Sequence, residues 1–282
     1  TPELVTLNVE NSKFTTQSKG AVLVSSKAGA AINWGAGNDI SNVAKDNIYA
    51  VWVDEDWADS YDLVTVEGAQ KRMENSEVLA EGNVLLTDGV YEILNIDGLK
   101  WFRDQVNAGA NDFSGKTVVL TCDINLNNEA WTPIGLDADA ANKFKGTFDG
   151  QGHIISNLKV QTEAGYTAAG LFGALNGTAQ NFTIDGATIE HISTGAATDN
   201  GIAVVAGSLY DKGNVYGVTV KNATVKGNRY VSAIAGYAYG NIKNCSVENI
   251  TLVATPDKES GSYDNGDKVG AIAGYFASES IY

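Results

Sequence analysis

Ala233-Ile234-Ala235-Gly236-Tyr237-Ala238 is one copy of a six-residue motif that occurs four times in the second half of this 282-residue sequence. The other copies are Ala168-Ala169-Gly170-Leu171-Phe172-Gly173, Val204-Val205-Ala206-Gly207-Ser208-Leu209 and Ala271-Ile272-Ala273-Gly274-Tyr275-Phe276. The aligned marker glycines Gly170, Gly207, Gly236 and Gly274 are separated by 37, 29 and 38 residues. Intervals of this length are typical of solenoids, in which each repeat forms one coil and packs only against its neighbours.

Alternating segments follow the first three copies of the motif. Apolar residues stand at every second position in Asn181–Ile189, Val218–Val225 and Cys245–Leu252. A period of two predicts strands, and the Asn or Asp turn within each segment makes those strands short. Such strands bury a face only by stacking coil on coil, with neighbours about 4.8 Å apart. We expect the marker glycines to lie where a Cβ would collide with the solenoid interior.

A helical pattern interrupts the strands at Asn95–Ala108. Its apolar residues have helical spacing, and they are Ile96, Leu99, Phe102 and Val106. Asn95 is a favourable N-cap, Asp97 suits the positive first turn, and Gly109 can end the helix. A helix that precedes a β-helix commonly covers the exposed edge of its first coil. We therefore predict a capping helix.

Residues 1–75 contain a weaker repeat. Three tripeptides align at intervals of 25 and 32 residues, namely Leu7-Asn8-Val9, Ile32-Asn33-Trp34 and Val64-Thr65-Val66. We interpret this region as the terminal coils of a first β-helix, with a small β-sandwich as the alternative. Residues 76–90 are predicted to be a linker, and residues 91–282 a second β-helix. The predicted fold class is therefore all-β, a right-handed parallel β-helix with one short capping α-helix at about 95–108.

Composition and charge narrow the range of partners. The chain has 44% hydrophobic residues, 31 Gly, 3 Pro and a net charge of -15. An acidic surface repels phosphate backbones and disfavours nucleic acid as a partner, and no apolar segment is long enough for membrane insertion. Thr1-Pro2 is an unusual start and Val269–Tyr282 breaks off within a repeat, so we expect a piece of a longer secreted polypeptide.

The segment Trp52–Asp62 combines aromatic rings with carboxylates. Sugars stack on aromatic faces and donate hydrogen bonds to carboxylates, which makes a glycan site from Trp52, Asp54, Glu55, Asp56 and Trp57 one hypothesis. Calcium held by Asp54, Asp56, Asp59 and Asp62 is a second hypothesis, and it is the one cofactor that the sequence suggests. A solvated acidic turn between coils is the plain alternative.

Tyr237 and Tyr275 occupy the same position of the repeat, with Leu171 and Ser208 in the earlier copies. If they face outward, they form a ladder for a glycan or a protein partner; if they face inward, they are stacked core rings. His153 and His191, the two histidines of the chain, fall in different coils without expected partners, which argues against a catalytic triad.

The run Gly170-Leu171-Phe172-Gly173 resembles the GLUG repeat of bacterial surface proteins. Two upstream stretches, Trp131–Gly135 and Phe144–Leu158, are similar to the lead-in of those repeats in Bacteroides-type adhesins. The resemblance covers residues 91–282. It implies a β-helix at the cell surface or outside the cell, in an adhesin or in the non-catalytic region of a large surface protease.

These observations predict a non-catalytic module for cell adhesion or ligand presentation, part of a larger secreted bacterial protein, whose partner is a host or microbial surface glycan or protein. No catalytic residue is predicted, and the chain is not expected to be an enzyme. Two alternatives stay open: a carbohydrate-active β-helix enzyme, either a polysaccharide lyase or a glycoside hydrolase, and a purely structural stalk. The enzyme requires a groove with clustered carboxylates and a Lys or Arg.

Overall fold

The computed structural model describes residues 5–9, 11, 13–15, 30–34, 39–42, 64–67, 76–80, 83–136, 142–161, 168–191, 201–255 and 268–277. The chain packs as two compact units, Thr1–Gly98 and Leu99–Tyr282. The predicted division into domains at residues 75 and 90 stays a prediction.

Parallel strands characterise the beginning of the first unit. They are β1 (Val5–Val9), β2 (Lys13–Thr15), β3 (Ala30–Trp34), β4 (Asp39–Asn42) and β5 (Val64–Glu67), with β1-β3-β5 in one sheet and β2-β4 in another. Leu7 pairs with Ile32, as the repeat predicts. Ile32 pairs with Val66 and not with Val64, so that part of the alignment is two residues off. A shift of two keeps every side chain on its face, and alternation alone cannot detect it.

Three antiparallel strands complete the first unit, and they are β6 (Ser76–Leu79), β7 (Val84–Thr87) and β8 (Val90–Ile93). Asp88 and Gly89 join β7 to β8 with positive φ angles of 51° and 83°. Two positive φ angles in a two-residue Asp-Gly loop are the requirement of a type I′ hairpin turn. The segment 76–90, predicted as a linker, therefore contains hairpin strands.

Helix α1 (Ile96–Asn107) is the one helix among the described elements and confirms the predicted capping helix. Asn95 Oδ1 accepts the N–H groups of Asp97 and Gly98 at 3.0 Å each, which is the geometry of an N-cap. Leu99, Phe102 and Val106 are fully buried. The Asn107 side chain donates to Pro133 O at 2.9 Å and accepts from Gly135 N at 2.7 Å, which fixes the helix end over the first coil.

The second unit is a parallel solenoid of about five coils, which confirms the predicted fold class. Its strands are β9 (Thr117–Leu120), β10 (Ile124–Asn125), β11 (Thr147–Asp149), β12 (Ile154–Ser156), β13 (Lys159–Gln161), β14 (Phe172–Leu175), β15 (Thr178–Gln180), β16 (Thr183–Asp185), β17 (Thr188–His191), β18 (Ala206–Leu209), β19 (Asn214–Tyr216), β20 (Thr219–Gly227), β21 (Val231–Ser232), β22 (Ala235–Ala238), β23 (Asn241–Lys243), β24 (Ser246–Ala254), β25 (Val269–Gly270) and β26 (Ala273–Phe276).

Within this unit, equivalent strands of successive coils stack in register. One ladder runs β9-β11-β15-β19-β23 and another β14-β18-β22-β26, while β10, β12 and β16 lead to the long strands β20 and β24. Apolar residues occupy the same level in each coil, as in the column Ile124, Ile155, Ile184, Val220 and Val247. All but the last of this column are buried, so the alternating pattern is what builds the continuous core.

The register corrects the alignment of the first motif copy. Phe172 pairs with Ala206, and Ala174 with Ser208, so Gly173 stands level with Gly207 where Gly170 was expected. Consequently Ala174, and not Leu171, takes the position of Tyr237. The expectation of close backbone approach is confirmed, because a Cβ on Gly236 or Gly207 would collide with the backbone nitrogens of Ile202 and Ala169. A Cβ on Gly170 would also be crowded. Both Gly170 and Gly173 therefore lie where glycine is favoured, and the sequence alone does not show which of them aligns with Gly207.

Asparagines form corners of the coils, either between two strands, as Asn157 does, or within the long strands β20 and β24, as Asn222 and Asn249 do. Asn157 and Asn222 have positive φ angles of 58° and 53°, a region that Asn tolerates better than other side-chain-bearing residues. Their amides also link coils: Asn157 donates to Asn125 Oδ1 at 2.9 Å, and Asn222 donates to Asp185 Oδ1 at 2.7 Å. Asn249 in turn donates to Asn222 Oδ1 at 2.8 Å. The corner residues thus hold both the bend and the coil spacing.

Candidate ligand-binding site

The predicted acidic and aromatic cluster lies outside the described residues. This applies to Trp52, Asp54, Glu55, Asp56 and Trp57, and equally to the proposed calcium ligands Asp59 and Asp62. The glycan and calcium hypotheses for this segment therefore stay predictions. Across the part of the chain that the structure describes, no group of three or more His, Cys, Asp or Glu residues is arranged to hold a metal ion.

Tyr237 and Tyr275, by contrast, are brought together by the sheet. The two residues are register partners in the pair β22–β26. Parallel in-register pairing places equivalent side chains one strand spacing apart, about 4.8 Å. Their rings accordingly stack with centroids 5.0 Å apart and an interplanar angle of 17°.

Two further tyrosines extend this stack to a cluster of four rings. Tyr230, in the bend before β21, lies 5.0 Å from Tyr237 and 5.4 Å from Tyr275 between ring centroids. Tyr239, just after β22, meets Tyr237 edge to face at 5.0 Å. The Tyr237 hydroxyl donates to the Tyr239 hydroxyl at 3.0 Å. We call Tyr230, Tyr237, Tyr239 and Tyr275 the tyrosine cluster.

A cation lies over this cluster. Lys268 Nζ is 4.2 Å from the ring centroid of Tyr275 and 5.3 Å from that of Tyr230. An ammonium within about 6 Å of a ring centroid is attracted by the negative ring face. The arrangement therefore combines aromatic faces, phenolic hydroxyls and one positive charge in a small area.

Burial differs across the tyrosine cluster. Tyr230 and Tyr237 are buried, Tyr275 is half-buried, and Tyr239 is 43% exposed. Tyr237 and Tyr275 are thus stacked rings at the wall of the solenoid and do not form an open outward ladder. Burial and the hydrogen bond to Tyr239 raise the pKa of Tyr237, and its phenol hydroxyl is the donor in that hydrogen bond. The accessible part of the cluster is the edge formed by Tyr239 and Tyr275.

Sequence reasoning found Tyr237 and Tyr275 but did not place Tyr230 or Lys268 beside them. Both of these residues lie in segments that precede strands, where the two-residue period carries no information. Tyr210 and Tyr239 stand level in successive coils, because the residues before them, Leu209 and Ala238, are register partners. Tyr210 instead lies under a different cation, with Lys143 Nζ 3.5 Å from its ring centroid.

The histidines differ from expectation in one respect. His153 Nδ1 lies 3.1 Å from Asp123 Oδ1, so this histidine does have a carboxylate neighbour. The same oxygen accepts the backbone N–H of Ile154 at 2.9 Å, which identifies Asp123 as a link between two coils. His191 is fully buried in β17. The two histidines lie in different coils, as predicted.

No helix of the described residues has the length and apolar character that a membrane span requires.

Comparison with known proteins gives limited similarity. No family model matches the chain, so the resemblance to GLUG repeats stays a prediction. Halomucin of Haloquadratum walsbyi is 33% identical over 158 residues, which cover 53% of this chain and 2% of halomucin. A crystal structure of a "putative immunoglobulin A1 protease" from Bacteroides ovatus is 24% identical, with a TM-score of 0.45 over 59% of this chain and 49% of that chain. Neither similarity carries an activity over to this chain.

Proposed function

We propose that the chain is a non-catalytic adhesion or ligand-presenting module of a larger secreted bacterial protein, and that the tyrosine cluster contributes to its ligand site. The observation that carries this proposal is the stacking of Tyr237 on Tyr275 with Lys268 above them. The half-buried ring of Tyr275 and the exposed ring of Tyr239 form an edge that a ligand can reach.

The chemistry of this edge suits a surface glycan or a protein loop. Aromatic rings contact the apolar faces of sugars, and phenolic hydroxyls exchange hydrogen bonds with ligand hydroxyls. Because the buried rings of Tyr230 and Tyr237 hold the edge in place, little side-chain entropy is lost when a ligand binds. Aromatic residues set in a fixed wall are also the usual anchors of protein interfaces.

The position of the chain within a longer secreted protein is supported by its similarity to halomucin, of which the aligned segment is a small fraction. A parallel coil stack is an extended scaffold that presents one surface at regular intervals. Both features are compatible with a module that displays a binding edge away from an anchoring region.

A glycan-array screen of the purified chain tests the proposal. We expect specific binding that a Tyr239→Ala, Tyr275→Ala double variant loses and that a Tyr216→Ala variant keeps. Tyr216 is the matched control, because it lies on β19 in a different sheet and is also half-buried. Binding that survives in the double variant would contradict the site, and a blank array for the unmodified chain would favour the stalk alternative.

A further inference from the structure

A polar groove lies in the Leu99–Tyr282 unit and shares no residue with the tyrosine cluster. It has a volume of about 550 Å³ and is lined by residues 114–117, 145–147, 176–178 and Lys212. These segments come from successive coils and meet where β9, β11 and β15 begin. The groove therefore runs along the stacking direction, across several coils.

Glycines keep the floor of this groove free of side chains. A Cβ on Gly146 would stand 2.5 Å from Phe113 O and 2.8 Å from Lys116 O. A Cβ on Gly177 would collide with the backbone of Gly146 in the coil below. No larger residue fits at these two positions, because the backbones of neighbouring coils approach each other closely there. The glycines therefore present only backbone to the groove, and a channel remains between the flanking side chains.

One wall of the groove is a column of hydroxyl groups. Thr117 pairs with Thr147, and Thr147 with Thr178, so the three residues stand at the same level of successive coils. Each is partly exposed. Asn176 adds an amide beside this column. Hydroxyl and amide groups both donate and accept hydrogen bonds, as the hydroxyls of a sugar require.

The charge of the groove is opposite to that of the chain. Among the described residues, its lining contains Lys116, Lys145 and Lys212 and no Asp or Glu, whereas the whole chain has a net charge of -15. Lys145 is held by Asp112, with Nζ and Oδ2 2.9 Å apart. Lys116 and Lys212 form no ion pair with any residue that the structure describes.

The three lysines are spread along the groove at coil intervals. Lys116 precedes β9, Lys145 precedes β11 and Lys212 precedes β19, which belong to the first, second and fourth coils. Their backbones therefore span about three strand spacings, or roughly 14 Å. Lysine ammonium groups are mobile point charges, so the row can meet anionic groups that recur along a linear ligand.

We propose that this groove binds a linear polysaccharide that bears carboxylate groups and lies along the coil stack. The lysines would pair with the carboxylates, and the threonine column with the sugar hydroxyls between them. A polymer with one charge per sugar fits better than double-stranded DNA, because the denser phosphate charge of the duplex would be repelled more strongly by the acidic surface around the groove. The groove and the tyrosine cluster have no residue in common, and the proposal for the groove does not depend on the function proposed for the cluster.

Titration calorimetry at low salt tests the proposal. The ligand is polygalacturonate, and neutral dextran and double-stranded DNA are the comparison probes. We expect polygalacturonate to bind, to weaken as sodium chloride is added, and to exceed both comparison probes in affinity. A Lys116→Ala, Lys212→Ala double variant should bind about five to ten times more weakly, because two exposed ionic contacts are lost. A Lys116→Arg, Lys212→Arg variant should retain binding.

The matched control is a Lys221→Ala, Lys226→Ala double variant, which removes the same charge from β20. Its binding should equal that of the unmodified chain, and circular dichroism should show all variants folded. The proposal is overturned if polygalacturonate does not bind, if the control loses as much affinity as the groove variant, or if DNA binds as tightly as polygalacturonate.

Discussion

The first and last coils of the solenoid keep the same strand register and fill it with different side chains. At the level of Phe172 the later coils have Ala206, Ala235 and Ala273. Two residues further along the same strands, Ala174 and Ser208 give way to Tyr237 and Tyr275. In the first coils, aromatic rings therefore fill the interior beneath helix α1. In the last coils, aromatic rings form part of the solenoid wall.

The two regions share their backbone pairing and differ in their aromatic side chains. The first coils contain a cluster of phenylalanine rings in mutual contact, Phe102, Phe113, Phe144, Phe148 and Phe172, all of them fully buried. The last coils carry tyrosines whose exposure ranges from 6% for Tyr237 to 43% for Tyr239. Both regions have the same ladder of hydrogen bonds between coils. A substitution that removes such a bond should therefore lower stability by a similar amount at both ends, whereas removal of an aromatic ring should lower it by different amounts.

The largest expected effect is at the phenylalanine cluster. Phe102→Ala removes a ring whose centroid lies 5.0 Å from that of Phe113 and 5.1 Å from that of Phe144. We expect a loss of about 3–5 kcal/mol in the free energy of unfolding, because a cavity forms under the capping helix. Tyr275→Ala, at the other end, should cost only about 1 kcal/mol because that ring is half-buried. Urea unfolding of both variants measures the difference, and equal losses would remove the distinction between the regions.

An intermediate effect is expected at the asparagine corners, and it should be the same at both ends. Asn157→Ala and Asn249→Ala each lose one inter-coil hydrogen bond and place alanine at positive φ, for a cost of about 2 kcal/mol. The corresponding glycine variants tolerate that φ and should cost about 1 kcal/mol. Thermal unfolding of the four variants checks this order. Alanine variants as stable as the glycine variants would show that the corner conformation is not what the asparagines supply.

The smallest effect concerns the hydroxyl of Tyr237. Tyr237→Phe loses the hydrogen bond to Tyr239 and should lower stability by about 1 kcal/mol at pH 7. The raised pKa of Tyr237 means that the folded chain keeps this proton while the unfolded chain releases it above about pH 10. Stability contributed by this group is thus complete below pH 10 and is lost as pH rises further. The unmodified chain should therefore lose more stability than the variant between pH 9 and about 11, measured by chemical denaturation; identical pH profiles would contradict the assigned environment.

Much of the fold follows from the sequence alone. The parallel solenoid, the helix and the pairing of Leu7 with Ile32 were predicted from spacing, period and capping residues. The register errors have identifiable causes. Val64 and Val66 are two positions apart in an alternating pattern, so a shift of two leaves the pattern unchanged. Gly170 and Gly173 both lie where a Cβ would be crowded, so the motif offers two equally good alignments.

Less of the candidate sites could be predicted. Tyr237 and Tyr275 were found because they occupy one repeat position. Lys268 and Tyr230 approach them from irregular segments, whose path a periodic pattern does not specify. The lysine groove was missed for the same reason: Lys116, Lys145 and Lys212 have no common sequence motif, and only the coil register brings them to one side.

Hydrogen–deuterium exchange with and without the strongest neutral glycan from the array tests the central claim most directly, because it locates the bound ligand along the chain and a neutral glycan lacks the carboxylates that the lysine-lined groove is proposed to bind. We expect added protection in residues 229–239 and 268–277 and none in residues 96–120, so that binding is confined to the tyrosine end of the solenoid. Protection centred on residues 51–62, or spread evenly over the first coils, would contradict the assignment of the ligand site to the tyrosine cluster.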